Sequence, residues 1–102
     1  MRRIRPDQRA ALEDWLRELN GPRRGEALAT LAAEGVDHER AVILETSDGP
    51  VLIYAMESDD PARAHAIAAA SDAEVDRRHR EVLTAADAGR ADISVALDLR
   101  IA

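Results

Sequence analysis

Residues 41–57 read AVILETSDGPVLIYAME and predict the β-hairpin on which the fold depends. Two apolar runs, residues 41–44 and 51–56, flank a polar turn in which Asp48-Gly49 supplies the positive φ that a tight connection needs. Both faces of the second predicted strand are apolar, with Val51, Ile53 and Ala55 on one and Leu52, Tyr54 and Met56 on the other. Each face of this strand therefore needs a covering layer.

The composition describes a single domain, residues 1–102, with a thin core. The apolar fraction is 46%, but there is no Phe, one Trp and one Tyr, and alanine is abundant. Because alanine buries little area per residue, a monomer of this size would have low stability. The composition therefore favours burial against a second chain.

Charge and cysteine content argue against several classes of protein. The net charge is −6, and all 14 basic residues are arginines interleaved with acids, which argues against a nucleic-acid partner. No cysteine is present, which excludes disulfides, thiol catalysis and cysteine-ligated zinc and fits a reducing cytoplasm. No apolar run has membrane length, and the first residues, MRRIRPD, lack the apolar core of a signal peptide. We expect a cytoplasmic protein with no membrane partner.

Helical patterns precede the hairpin within residues 7–34. Apolar side chains recur there at helical spacing, and Asp7 is the candidate N-cap. Residues 20–22, NGP, interrupt the pattern, and Gly35 is placed to end it. The stretch predicts either one long kinked helix or two nearly collinear helices.

After the hairpin the sequence predicts two helices and a strand. Asp60 followed by proline starts a helix over residues 61–70, and a charged helix covers about residues 73–86. Residues 88–91 read as a turn. Residues 92–102 then alternate between apolar and polar or small side chains, which is the clearest strand pattern in the chain.

The order of predicted elements is βαββαβ, with residues 1–5 as an edge strand or a frayed tail. This is the ferredoxin-like arrangement of the α+β class, an antiparallel sheet with helices on one face. The other face carries Ala96 and either Leu52, Tyr54 and Met56 or their neighbours, and is too apolar to stay bare in a monomer. A second copy packing sheet against sheet in a C2 homodimer would cover it.

Three short motifs support a resemblance to known proteins: Gly35-Val36-x-His38-Glu39, Tyr54-x-Met56-Glu57 and Arg77-Arg78-His79-Arg80. With the element order and lengths, they resemble an uncharacterised bacterial family of the dimeric α/β-barrel superfamily. That superfamily includes small monooxygenases, polyketide cyclases and the L-rhamnose mutarotases. The resemblance implies a homodimeric barrel that holds a small organic ligand between sheet and helices. Asn20 stands at about the place of a mutarotase histidine, so the resemblance does not extend to sugar mutarotation.

His79 is the first candidate for catalysis. It shares a helical face with Val75 and Val82 and has arginines on both sides. We interpret it as a neutral general base or hydrogen-bond donor, its pKa lowered by the arginines. The alternative is a partly buried histidine that donates to a backbone carbonyl. His38, just before a strand, is the second catalytic candidate, against the alternative of a loop residue capping nearby backbone, and His65 reads as a surface residue.

Tyr54, Trp15 and Asp98 are the candidates for ligand binding. Tyr54 either orients a ligand with its hydroxyl or packs in the dimer core, and Trp15 is either a core residue or a ligand platform. Asp98 is either a rim residue or an acid inside the barrel. No two histidines have metal-ligand spacing, so we predict neither a metal nor a cofactor; a metal site would need His38 and His79 to converge with a glutamate.

Two hypotheses about function follow from these residues. The first is a small-molecule-binding homodimer; if it is an enzyme, its chemistry is proton transfer without a cofactor, in the manner of an isomerase, cyclase or monooxygenase. In it His79 is the base or acid, and Tyr54 or His38 orients the ligand. The second is a non-catalytic interaction dimer whose pocket is filled by side chains. An open, partly polar cavity beside His79 would favour the first hypothesis.

Overall fold

The computed structural model describes residues 1–92 and 96–101, which form an α+β domain as predicted. This part of the chain contains a 3₁₀ turn at Pro6–Gln8 and eight helices and strands. In order these are β1 (Arg2–Ile4), α1 (Arg9–Asn20), α2 (Arg24–Glu34), β2 (Val36–Thr46), β3 (Gly49–Ser58), α3 (Pro61–Ala70), α4 (Glu74–Ala86) and β4 (Asp87–Arg90). None of these helices is long and apolar enough to cross a membrane.

The four strands form one antiparallel sheet in the order β2-β3-β1-β4. The first strand is neither an edge strand nor a tail, because Arg2 pairs with Leu52 of β3 on one side and with Arg90 of β4 on the other. Its one apolar side chain, Ile4, is only 4% exposed. Burial of this isoleucine holds a strand of three residues inside the sheet.

The predicted hairpin is confirmed and is longer than the sequence indicated. The pairing of β2 with β3 runs from Thr46 opposite Gly49 to Val36 opposite Ser58. Gly49 has φ of 111°, so it supplies the positive φ of the turn. The ladder is irregular between Val36 and His38, near its far end.

One face of the sheet packs against the helices. The core joins sheet residues to α1 and α4 and consists of Ile4, Leu12, Trp15, Leu52, Val75, Val82 and Ala86. Tyr54 lies partly buried against the same cluster. Because side chains alternate along a strand, the neighbours of Leu52 and Tyr54 point to the open face. Of the two sets that the sequence left open, Leu52 and Tyr54 therefore face the helices, and the open face carries exposed Val42 and Leu44.

The prediction of a last strand over residues 92–102 was wrong for the described residues 96–101, which form no strand. The last strand within the described residues is instead β4, where the sequence indicated a turn over residues 88–91. The reason is the shortness of β1, which offers partners only to residues 87–90. The pairing with the first residues of the chain ends, among the residues described, at the hydrogen bond from the Ala91 N–H to the Met1 carbonyl (3.1 Å). Residues 93–95 and 102 of the predicted strand lie outside the described residues.

The predicted helix signals were partly correct. The stretch 7–34 forms two helices, and Gly35, with φ of 73°, ends the second as expected. The Asp60 carboxylate accepts the Arg63 N–H at 3.1 Å and caps α3. Asp7 is not an N-cap, because it lies within the 3₁₀ turn and binds Arg5 instead.

Candidate functional site

The structure brings together three residues that the sequence singled out separately: Trp15, Tyr54 and His79. The Trp15 indole N–H donates to His79 Nδ1 at 2.9 Å. The Tyr54 hydroxyl lies 3.1 Å from the other ring nitrogen, His79 Nε2. Both nitrogens of the imidazole are therefore engaged by aromatic side chains, one from a helix and one from the sheet.

Local sequence patterns explain how these side chains meet. His79 is four residues after Val75 and three before Val82, so the buried valines turn the imidazole toward the sheet. Trp15 follows Leu12 by three residues on the buried stripe of α1. Tyr54 follows Leu52 by two residues and therefore points to the same side of β3.

Burial controls the titration of this group. It lowers the pKa of His79, while the nearby carboxylates Glu39 and Asp76 act in the opposite direction. Burial, followed by Glu39, raises the pKa of Tyr54, so the phenol stays protonated at neutral pH. The expected lowering of the His79 pKa thus has burial as its cause, and the sequence-based reason, neighbouring arginine charge, was wrong.

Three carboxyl groups that sequence reasoning missed lie beside Tyr54 and His79. They are Glu34 at the end of α2, Glu39 on β2 and Asp76 on α4, and all three line the same cavity. The Glu39 carboxylate lies close enough to the Tyr54 hydroxyl to favour the protonated phenol. Burial, Asp76 and Glu39 raise the pKa of Glu34 to about 7. Within residues 1–92 and 96–101, no arginine lies at salt-bridge distance from any of the three.

A cavity of about 530 Å³ lies between the sheet and helices α3 and α4. Most of its surface is apolar and comes from side chains such as Ile4, Leu52, Ala64, Ala68 and Leu83. Its polar groups include Tyr54, His79 and the three carboxyl groups, which also line a second cavity of about 50 Å³. An apolar cavity with a few convergent polar groups has the form of a site for a small organic ligand.

The comparisons with known proteins identify a family but no characterised relative. Residues 2–100 match a family of unknown function, DUF6176. The chain belongs to this family. Comparisons with curated proteins and with solved structures find no match.

The other predicted site residues of this DUF6176 chain lie away from the cavity. His38 is exposed, with Nδ1 3.6 Å from Glu57 Oε1, and does not line it. Asp98 is exposed in the segment that follows β4. His65, read from the sequence as a surface residue, is exposed but contributes to the cavity wall. In the described ranges no three His, Asp or Glu side chains are arranged to hold a metal ion.

Trp15 lies behind His79 and does not line the cavity. The guanidinium carbon of Arg23 is 5.3 Å from the Trp15 ring centroid, and that of Arg78 is 5.9 Å away. Arg23 is itself held by Glu26 at 2.8 Å and by Glu74. Such cation–π contacts hold the indole in one orientation, with its N–H toward the imidazole.

Proposed function

We propose that the protein binds a small organic molecule in the 530 Å³ cavity and transfers a proton on it without a cofactor, as an isomerase, cyclase or monooxygenase-like enzyme would. The observation that carries this proposal is the Tyr54–His79 pair, which borders a mostly apolar cavity beside the Glu39 carboxylate. The apolar wall would hold the body of the ligand. The convergent polar groups would orient its reacting atoms.

The chemistry of the polar groups supports proton transfer. Glu39 has no arginine partner in the described part of the chain, so its carboxylate can accept a proton. The Tyr54 hydroxyl beside it remains protonated, and His79 is hydrogen-bonded to that hydroxyl. A carboxylate base next to a neutral hydrogen-bond donor is a common arrangement for removing a proton from carbon, because the donor stabilises the negative charge that forms on the substrate.

The test is a panel of small cyclic ketones in D₂O. We expect members of the panel to shift the backbone amide signals of cavity residues such as Leu52 and Leu83, and to take up deuterium at the carbon next to the carbonyl. Glu39→Gln should slow this uptake at least about 100-fold, the usual effect of losing a general base. His38→Gln is the matched control outside the cavity and should leave the rate unchanged. Absence of any shift at the cavity residues would overturn the proposal.

We also propose that the domain has the ferredoxin-like fold and pairs into a dimeric α/β barrel. The element order, with each helical region split in two, and the sheet order β2-β3-β1-β4 agree with that fold. The accessible surface of the single chain is 7448 Å². A compact monomer of 11.1 kDa would expose about 5,700 Å². The difference between these two surface areas is larger than the area that each partner buries in a standard protein–protein interface, about 800 Å².

Two apolar surfaces account for part of that excess. Val42 and Leu44 on the open sheet face are 40% and 45% exposed. Leu97, Leu99 and Ile101 in the last segment are 75%, 83% and 101% exposed. Surfaces of this kind fit burial against a second copy in a C2 dimer. A cytoplasmic location, suggested by the absence of cysteine, stays a prediction.

The exposed apolar segment also favours the second hypothesis, a non-catalytic interaction dimer. In that case the space between sheet and helices would be filled by side chains. The cavity of about 530 Å³ beside His79 supports the small-molecule proposal over this alternative. The ketone panel separates the two, since an interaction module has no reason to bind or exchange any of its members.

A further inference from the structure

The hydrogen bond between Trp15 and His79 has only one possible direction. An indole N–H is a donor and never an acceptor, so His79 Nδ1, 2.9 Å away, must accept and carries no proton. Trp15 is 4% exposed, and its N–H would lose a partner in a buried place if His79 turned away. The direction of this bond is therefore strongly enforced.

The direction of the next bond follows from the first. A neutral imidazole with a bare Nδ1 carries its proton on Nε2. Nε2 lies 3.1 Å from the Tyr54 oxygen, so the imidazole donates and the tyrosine oxygen accepts. The proton of the Tyr54 hydroxyl then has to point away from His79, toward Glu39 and the cavity.

We propose that Trp15 is a positioning residue that holds His79 in its Nε2-protonated tautomer and thereby makes the Tyr54 hydroxyl a hydrogen-bond donor to the cavity. The tautomer itself is independent of any ligand. The effect of this tautomer on the ligand rests on the proposed function, in which the ligand presents a carbonyl oxygen to the Tyr54 hydroxyl as a hydrogen-bond acceptor. Glu39 then removes a proton from the carbon next to the carbonyl. The electron pair of that C–H bond forms the C=C bond of an enolate, and Tyr54 stabilises the enolate oxygen until the proton returns to carbon.

The surroundings of the indole support this role. Arg23 and Arg78 lie over the Trp15 ring, and Arg23 is anchored in turn by Glu26 and Glu74. Rotation of the indole would break both cation–π contacts as well as the hydrogen bond to His79. The donor is therefore held by packing, by charge and by its own bond.

Protonation of His79 at Nδ1 would place two N–H donors against each other and break the bond to Trp15. Other groups around the imidazole also act on its charge. The charged or titratable side chains that face it or share its cavity are Arg2 and Arg3 from β1, Glu34 from α2, Glu39 from β2, Tyr54 from β3, His65 from α3, Asp76 and Arg80 from α4, and Asp87 from β4. The carboxylates favour the imidazolium, whereas burial and the Trp15 donor oppose it.

The test is ¹⁵N NMR of the imidazole in the intact protein. We expect His79 Nε2 to show the chemical shift of a protonated nitrogen and Nδ1 that of a bare nitrogen. We also expect a scalar coupling across the hydrogen bond between Trp15 Nε1 and His79 Nδ1. His38 and His65, both exposed, give reference signals in the same sample. A proton on His79 Nδ1 at neutral pH, or no coupling between these two nitrogens, would overturn the proposal.

Trp15→Phe is the informative variant because it keeps an aromatic ring and removes the donor. We expect the His79 signals to become those of a tautomer mixture and the His79 pKa to rise, while His38 and His65 are unchanged. An unchanged His79 tautomer in the folded variant would contradict the role of Trp15. If Trp15→Phe does not fold, the coupling in the unaltered protein decides the question. Since none of these readouts needs a ligand, failure of the ketone panel and failure of the tautomer are distinguishable.

Discussion

Glu34 shows how position along the chain changes the chemistry of a single residue. It is the last residue of α2, and its carboxyl lies at the cavity near Asp76 and Glu39. Burial and these two acids raise its pKa from 4.5 to about 7. The folded protein therefore binds a proton more readily than the unfolded chain does. Stability from this residue is fully present below pH 4.5 and is lost as pH rises through 7.

Glu34→Gln should therefore stabilise the protein at high pH. The amide keeps the size of the neutral acid but cannot ionise, so the variant avoids the repulsion by Asp76 and Glu39. Because the group is partly exposed, we expect only about 0.5–1 kcal/mol at pH 8, falling toward zero near pH 4.5. Urea unfolding of both proteins across this range measures the difference. Glu18→Gln, at an exposed site on α1, is the control, and an equal gain at both pH values would contradict the argument.

His79 has the opposite effect on stability. Its pKa is lowered in the folded state, so the unfolded chain binds the proton more readily. Its contribution to stability is present above about pH 6.5, the ordinary value, and is lost as pH falls below it. Between pH 4.5 and 6.5, a rise in pH therefore lowers the stability that Glu34 contributes and raises the stability that His79 contributes. Comparing Glu34→Gln with the parent at the same pH isolates the Glu34 contribution, because His79 is the same in both proteins.

At the scale of elements, α2 contains Gly25 and is followed by Gly35, and these two glycines have opposite roles. Gly35 follows the helix with φ of 73°, a conformation that costs an L-residue about 1–2 kcal/mol, and a Cβ there would meet no atom within 4 Å. Gly25 lies inside the helix with equally open surroundings and no positive φ. Backbone conformation is thus the main difference between the two sites.

Alanine substitution should change stability in opposite directions at these sites. Gly35→Ala should lower the free energy of unfolding by about 1 kcal/mol, because alanine pays the cost of the left-handed conformation. Gly25→Ala should raise it by up to about 1 kcal/mol, because alanine is the better helix former. Chemical denaturation of both variants gives the comparison. A loss of stability at Gly25 similar to that at Gly35 would show that steric contact, rather than φ, controls both positions.

The elements that the sequence predicted correctly are those fixed by local signals. The hairpin has its own turn glycine, and α3 has both the Asp60 cap and a proline at its start. The two end strands depend on partners instead. Residues 2–4 are a strand because β3 and β4 lie on either side. Residues 96–101 are not, despite their alternation, because none of the four described strands pairs with them. Pairing of this kind is a tertiary property.

The same distinction applies to the candidate site. Trp15, Tyr54 and His79 were recognisable as unusual residues on apolar faces, but their meeting depends on how α1 and α4 cross the sheet. Glu34 read as an ordinary helix end. Glu39 did leave a signal, since it shares strand parity with half-buried Ala41 and Ile43 and so points to the helix side.

At the scale of the whole molecule, the chain is expanded for its length. Its radius of gyration is 15.0 Å, whereas a compact domain of about 100 residues has about 13 Å. The helices cover one side of the sheet, while Leu44 on the open side remains 45% exposed. Expansion together with the exposed Val42 and Leu44 side chains on the open face is what the proposed dimer explains, since a second copy would bury them.

Leu44→Asp tests that explanation. A charge on the open face would have to be desolvated in a sheet-to-sheet dimer, so we expect the dimer to dissociate by at least about tenfold in Kd, or more than about 1.4 kcal/mol. Leu28→Asp is the matched control, because Leu28 is 50% exposed on α2, away from the sheet face, and should leave the dimer intact. Sedimentation equilibrium of the parent and both variants at micromolar concentration measures the association. A monomeric parent would refute the dimer outright. Equal dissociation by both variants would show that the interface is not confined to the open sheet face, because Leu28→Asp can weaken the dimer only if α2 is part of the contact.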